Sequence, residues 1–429
     1  MLYKLISRLM RNRYISQLIK NFYARYRKGQ VLMSIDIPEI SPINTIPSTV
    51  ETPRINLLVP GVSAKAMFGG VSTALDIFLS LSKNFNDVRI IVTDEIESDI
   101  SSHKLAGFSP KNLESEASGK IITWAGDRYG KSMPIRKRDL IISTAWWTAY
   151  TGFHILDKQK SIFGEAGRKL IYIIQDYEPN FYAWSSRYAL ALSTYSRTED
   201  TIAIVNSSLL ADYLHSKGHN FYLTSFFEPQ LNKGLSHHCL NTSVKDKCKL
   251  VFVYGRPSVQ RNAFELTVQS LRAWASSGEA SSNGWQVVSA GEEHDDIDLG
   301  GGLVLRSVGK LTVDEYAKLL GKTAVGLSLM ISPHPSYPPL ELAAFGAGVV
   351  TNKFEAKDLS CIHPSIFSVD TLSPSKIAEA IAWKCHEFEI DREINWQRRG
   401  KFSWPYMGGK DDYDMDGIKH FLENFQAHN

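Results

Sequence analysis

Residues Ile331–Asn352, ISPHPSYPPLELAAFGAGVVTN, follow an apolar run, Ala324–Met330, and lead into another through a proline-punctuated loop and a short helical pattern. Proline suits the first helical positions, where no N–H partner is needed, and Gly346 and Gly348 supply the stop. The stretch therefore reads strand, loop, helix, strand, the unit of a doubly wound parallel sheet. An opening at Pro338 or Pro339 predicts Glu341 in the helix's first turn. A carboxylate there, above the carboxyl edge of a sheet and beside free backbone N–H groups, is placed to accept the two hydroxyls of a ribose. Its alternative use is to complement the helix dipole.

Working upstream, Lys249–Tyr254 reads as a strand, followed by GRPSVQRN, in which Arg256 and Arg261 flank a turn opening a helix over Ala263–Ala275. Two guanidinium groups beside a helix N-terminus make a clamp for a diphosphate, since each offers paired donors to phosphate oxygens. Between these two units lie a strand at Trp285–Ala290, a short strand at Leu303–Val308, and a helix from Val313 with the capping box Thr312–Glu315. The segment GEEHDDIDLGGG reads as a long polar loop. Its Asp296-Ile297-Asp298, like Asp412-Tyr413-Asp414, is a poor match to a metal-holding DxD, and no metal is expected. His237, His238, Cys239 and Cys248 match no zinc spacing.

The N-terminal half repeats the alternation. Strands are expected at Ile55–Pro60, Val88–Val92, Asp139–Thr144, Lys169–Ile174, Thr201–Val205 and Phe221–Ser225, with near-continuous apolar character that argues for a parallel sheet. After the first comes the loop GVSAKAMFGG, whose Gly69 and Gly70 let backbone N–H groups approach a phosphate or sugar; it is not the GxGxxG of a dinucleotide fold. Trp146 and Trp147 follow the third strand, where aromatics form either a sugar-stacking wall or core. The fourth strand ends in QDYEPNFYAW, so Gln175, Asp176, Tyr177 and Glu178 share the same edge; Asp176 could orient or deprotonate an acceptor hydroxyl, or cap a helix.

Length and charge bound the rest. A chain of 429 residues exceeds one core and predicts two large domains. Four scattered cysteines argue for a reducing compartment. Residues 1–30 hold eight Lys or Arg and no acid, leaving 40 basic against 45 acidic residues elsewhere, so the body is not a nucleic-acid binder. Leu2, Leu5, Ile6, Leu9 and Met10 share one helical face, and Ile15, Leu18, Ile19, Phe22, Tyr23 and Tyr26 another. Such helices dock on an anionic membrane surface or on the protein itself, and the absence of acids favours lipid. Arg8, Arg11 and Arg13 break any signal-peptide core, and no run is long enough to span a bilayer. A cytoplasmic protein held peripherally on the inner membrane face is the expectation.

Taken together, the Gly69-Gly70 loop, the turn from Tyr254-Gly255-Arg256 to Arg261-Asn262, and Pro338-Pro339-Leu340-Glu341 with Ala343 and Gly346 resemble a glycosyltransferase of the GT-B architecture, of the family-four type. Gln175-Asp176-Tyr177-Glu178-Pro179 and the Tyr-Gly-Arg-Pro turn resemble, more narrowly, bacterial WsaF-like rhamnosyltransferases, which build surface glycans from dTDP-rhamnose. The resemblance implies an α/β fold of two Rossmann-like domains facing a central cleft. Its expected boundaries are 1–33 for the basic segment, 34–54 for a proline-rich linker, 55–226 for the acceptor domain and 227–248 for an irregular interdomain linker. A donor-nucleotide domain over 249–400 and a tail helix over 401–429 complete it. It implies a metal-independent transfer from a nucleotide-sugar to a glycan or lipid-linked glycan. Arg256, Arg261, Gly69 and Gly70 would hold the diphosphate, and Glu341, Lys310 and Leu311 the nucleoside. Asp176 would be catalytic, and Trp146, Trp147, Tyr177 and Glu178 would meet the acceptor. The family places a further acid eight residues before Glu341, where this chain has Pro333; His334, Ser336 and Tyr337 are the substitutes in the sugar loop. A nucleotide-sugar epimerase and a non-catalytic membrane-tethered glycan scaffold are the alternatives.

Overall fold

The computed structural model describes residues 36–63, 69–100, 102–164, 168–277, 283–408 and 415–427. The basic helices expected over residues 1–33, the Asp412-Tyr413-Asp414 triplet, and much of the GVSAKAMFGG loop lie outside them. Among the described residues no helix is long and apolar enough to cross a membrane.

Two parallel sheets organise the chain. The first has eight strands in the spatial order Leu223–Phe227, Thr201–Asn206, Leu170–Ile174, Asp139–Ser143, Arg54–Val59, Asp87–Val92, Lys120–Trp124 and Ser109–Lys111, every pair parallel. The second has seven: Ile297–Gly300, Leu303–Ser307, Gln286–Gly291, Cys248–Gly255, Thr323–Leu327, Gly348–Asn352 and Ile366–Val369. Only the pairing of Ile297–Gly300 with Leu303–Ser307 is antiparallel there. The central strands of both sheets are buried on both faces, as crossover helices require, which is why they read as unbroken apolar runs. The first strand of each sheet pairs on both sides, so each order reverses beside it, at Arg54–Val59/Asp139–Ser143 and at Cys248–Gly255/Thr323–Leu327. Loops leaving the carboxyl ends of such a pair diverge and open a crevice.

Several expectations need correction. The stretch read as an irregular linker holds the helix Lys233–Asn241, with Leu235 and Cys239 buried in the second domain's core beside Leu320 and Ala344. Its polar look comes from the outer face alone. The DDID loop contains the edge strand Ile297–Gly300, whose alternate side chains face solvent. The proline-rich 34–54 segment carries a 3-10 turn, Pro38–Ile40, and a strand, Asn44–Pro47, paired in parallel with Ser132–Ile135. Two further strands, Lys120–Trp124 and the short edge strand Ser109–Lys111, extend the first sheet beyond Asp87–Val92. The last helix, Asp416–Ala427, packs Met415, Ile418 and Leu422 into the first sheet's core, and Arg138 donates to the carbonyls of Phe425 and Gln426, both at 3.1 Å.

The amino edge of the first sheet is pinned by charge. Asp139 accepts from Arg54 Nε at 2.7 Å and Nη2 at 2.8 Å, from Asn56 at 2.9 Å and from the Arg136 N–H at 2.8 Å, while Arg89 approaches to 3.7 Å. All are buried. Burial opposes the charged form of Asp139, but the hydrogen bonds and charge of Arg54, with Arg89 behind, hold its carboxyl below the ordinary value. Its contribution is therefore complete above the unfolded-state value of about 3.9 and fades as pH falls through the depressed native one. Asp139→Ala strands Arg54 and Arg89 without a counter-charge and should cost about 3–5 kcal/mol in urea unfolding at pH 7; a loss below about 1 kcal/mol would show that the guanidinium groups find other partners.

Candidate functional site

The segments expected to carry function leave the carboxyl ends of the two sheets and meet between them. From the first come Gly69-Gly70, Trp146-Trp147 and Gln175–Glu178; from the second come Arg256–Asn262 and the loop 328–336. Asp176 is where they join. Its carboxylate accepts a short hydrogen bond from Ser332 Oγ of the second domain and 2.8 Å from its neighbour Tyr177 N–H, and lies 3.6 Å from Arg261 Nε. The Arg261 guanidinium also sits 4.1 Å from the centre of the Phe181 ring, a cation over an aromatic face. Tyr337 Oη accepts from Asn206 Nδ2 at 3.2 Å, a second polar tie between the domains.

The loop 328–336 owes its path to backbone pins. Asn352 bonds Met330 at both N–H (2.6 Å) and carbonyl (3.1 Å), Lys357 Nζ donates to the same carbonyl at 2.7 Å, and Asn262 Nδ2 reaches the Leu329 carbonyl at 3.3 Å. The loop then turns through Ser336 at φ +70°, a left-handed conformation that a side chain adopts only when its surroundings enforce it. His334 is buried, and burial pushes its imidazole down to about 4, with Lys357 and Arg261 adding to that and Asp176 opposing. Its Nδ1 accepts the Ser336 N–H at 3.0 Å, so the neutral ring carries its proton on Nε2, which has no hydrogen-bond partner among the described residues. A buried donor left unpaired costs about 1–3 kcal/mol and points to a ligand.

Glu341 departs from expectation. The helix spans Tyr337–Ala344 with Ser336 as its cap, so Glu341 falls beyond the first turn and no acid complements that N-terminus. It instead accepts from Tyr316 Oη at 2.7 Å. Burial pushes its carboxyl up to about 7, and the Tyr316 bond opposes this. Part of the residue nonetheless reaches solvent, so a hydroxyl-bearing ligand has access. Lys310 is exposed, whereas Leu311 packs against the same core as Leu340. Arg256 is half-buried at the turn after Gly255. Ser336 is buried and Tyr337 half-buried, with its hydroxyl engaged by Asn206.

On the first domain, Trp146 is fully buried and its indole donates to Tyr182 Oη at 3.0 Å, so it is core and not a stacking wall. It begins a helix, Trp146–Phe163, whose next residue, Trp147, is half-buried; that indole bonds Asp94 at 3.0 Å. Tyr177 lies buried among Tyr195, Tyr213 and His219. Glu178 is buried too, not solvated: burial pushes it up to about 8, although the Trp146 N–H donates to it at the helix start. Gly69 adopts φ +52°, and a Cβ on Gly70 would meet Gln175 Oε1 at 2.5 Å, so this glycine lets the loop close on the strand end bearing Asp176. Ser332, Phe181, Tyr316, Asn352 and Lys357 were not foreseen. A serine before a proline and a lysine in KFEAKD carry no distinguishing local pattern.

Two parallel-stranded Rossmann-like domains with their carboxyl edges converging are the GT-B architecture of glycosyltransferases. The same fold is seen in sucrose-phosphate synthase from Thermosynechococcus elongatus (TM-score 0.52, 14% identity, 87% of this chain and 98% of that one). It is seen also in Anabaena HepE, solved with UDP (TM-score 0.50, 11% identity, 87% and 99%), and in a Rickettsia africae glycosyltransferase (0.50, 12%, 89% and 100%). Within that architecture the chain belongs to the WsaF family: residues 54–208 match the WsaF N-terminal domain and residues 249–382 the WsaF C-terminal domain. It is also 35% identical over 214 residues to the O-antigen biosynthesis protein RfbC of Myxococcus xanthus; the match takes in 50% of this chain and 15% of that much longer protein.

The Tyr316 bond stabilises the ionised form of Glu341, so Tyr316→Phe should move the Glu341 carboxyl band, followed by infrared difference spectroscopy against Glu341→Gln, to titrate above the value near 7. A downward move would show that Tyr316 is not its donor.

Proposed function

We propose that this chain is a sugar transferase that moves rhamnose from dTDP-rhamnose to a growing surface glycan without a metal ion. The observation that carries the reading is the meeting of Arg261 and Asp176, 3.6 Å apart, across two carboxyl sheet edges. Transfer from a nucleoside diphosphate needs positive charge where the diphosphate departs and a carboxylate where the acceptor hydroxyl attacks. Both groups stand at one point. Membership in the WsaF family and the name of the RfbC relative support a glycan-building role; the rhamnosyl donor rests on the resemblance carried by Gln175–Pro179 and the Tyr-Gly-Arg-Pro turn.

The roles follow from chemistry at each position. Arg256 and Arg261 stabilise the leaving diphosphate by charge-assisted hydrogen bonds, replacing a cation. Glu341 accepts the ribose hydroxyls on its solvent side while Tyr316 fixes its rotamer. His334 offers its Nε2 proton to a hydroxyl of the sugar, in the loop where Pro333 stands instead of an acid. Asp176 orients the acceptor hydroxyl, which approaches past Trp147. The basic N-terminal 30 residues would keep the enzyme at an anionic inner membrane face, near a lipid-linked acceptor.

A thermal-shift screen of dTDP, UDP, GDP and ADP should single out dTDP by mass-action stabilisation. Arg261→Ala should then lower transfer from dTDP-rhamnose by about 100-fold or more, with wild-type activity unaffected by EDTA. Turnover without an acceptor would replace the transferase with an epimerase, glycan binding without nucleotide binding would replace it with a scaffold, and loss of activity in EDTA would sink the metal-free mechanism.

A further inference from the structure

Lys357 lies in the turn after strand Gly348–Asn352 and is 2% exposed. Among the described residues its ammonium makes one hydrogen bond, to the Met330 carbonyl 2.7 Å away, and otherwise has the Phe354 ring, 6.0 Å to its centre. A buried ammonium has three donors to satisfy and a charge to balance, and one carbonyl does neither. The charge that bears on it is Asp176, from the opposite domain. Asp176 is already engaged by Arg261 at 3.6 Å and by Ser332. One carboxylate thus serves two cations. Beside them His334 holds a buried Nε2 with no partner, and Arg261 Nε likewise lacks a hydrogen bond. Three donors around a single shared anion make a receptor for a second one.

We propose that Lys357 is a ligand of the donor's diphosphate, and that phosphate oxygens, on entering, take over from Asp176 as the counter-ion of Lys357 and Arg261. The exchange has a consequence for the reaction. Without donor, the Asp176 carboxylate is held by Arg261 and Ser332; with donor, the guanidinium turns to phosphate and Asp176 is released to meet the acceptor hydroxyl. Donor binding then precedes productive acceptor binding for an electrostatic reason, and the base is exposed only when there is something to transfer. The inference rests on the nucleotide-sugar reading above.

A merely structural lysine, holding the Met330 turn, would behave differently from a phosphate ligand. Burial pushes Lys357 down to about 7, with Asp176 opposing. The titratable group coupled to it on the same side is His334, neutral above about 4, so Lys357 is the one of the two that titrates near neutrality. A folded-state lysine value below the unfolded one means the charged form is the less favoured, and its phosphate contact weakens as pH rises through neutrality.

The test is calorimetric titration of the full chain with inorganic pyrophosphate, dTDP and thymidine at pH 6 and pH 8.5. Lys357→Met should weaken pyrophosphate and dTDP about tenfold or more at pH 6, with the gap narrowing at pH 8.5; the ligands' own titration is common to both proteins. Lys357→Arg, whose charge does not titrate, should hold pyrophosphate with no such narrowing, and thymidine should bind all three proteins alike. Equal pyrophosphate affinity in wild type and Lys357→Met, a gap independent of pH, or a parallel loss of thymidine would each overturn the role of Lys357 and leave the transferase reading standing. If wild type binds neither pyrophosphate nor dTDP, that reading falls as well.

Discussion

The backbone of Met330 is the point on which the site depends. Strand Thr323–Leu327 delivers the chain to the carboxyl edge with no intrinsic reason to turn toward the other domain. The side chain of Asn352 supplies the reason by accepting from the Met330 N–H and donating to its carbonyl, which Lys357 shares. Backbone groups that leave a sheet while still buried must find partners, and a carboxamide offers a donor and an acceptor together. Once Met330 is held, Ile331 N–H closes on the Arg261 carbonyl at 2.7 Å, and Ser332 is presented to Asp176. Three segments distant in sequence are thereby locked to one loop.

The electrostatics of that loop are spare. Its buried titratable groups are shifted mainly toward their uncharged forms, His334 and Lys357 downward and Glu341 and Glu178 upward, each by burial first. The guanidinium groups near the centre are those of Arg256 and Arg261, whose planar forks suit phosphate oxygens. A cleft arranged this way has low cost while empty and strong preference for an anion that brings its own charge. The first domain contributes shape more than charge: Glu178 caps the start of the Trp146 helix, and Tyr177 packs into the tyrosine cluster, so that Asp176 is left as the polar side chain facing across.

The amino edge of the first sheet solves a different problem. Three arginines, two aspartates and Asn56 lie buried there, and Asp139 reaches four of the other five. Networks of this kind add little net stability but penalise any partial arrangement, because each lost partner strands a charge. They set the register of strands Arg54–Val59, Asp87–Val92 and Asp139–Ser143, whose carboxyl ends carry the loops of the site.

Periodicity and punctuation determined the architecture. Buried parallel strands are apolar along their length, and glycine, proline and the Thr312–Glu315 box mark where helices begin and end, so two alternating sheets were legible from residues alone. Edge strands and the Lys233–Asn241 helix escaped because an element with one wet face looks like a loop. Position along the chain also identified Asp176, Arg261 and His334 as residues past strand ends. What only the tertiary structure decided is which of these meet. Trp146 and Trp147 are indistinguishable in sequence, yet one is fully core and the other only half-buried, because a helix turns each successive residue by about 100°. Glu341 and Tyr316 belong to different helices, and Lys357 sits in an ordinary charged run; their burial comes from neighbours far along the chain, and burial is what gives them chemistry.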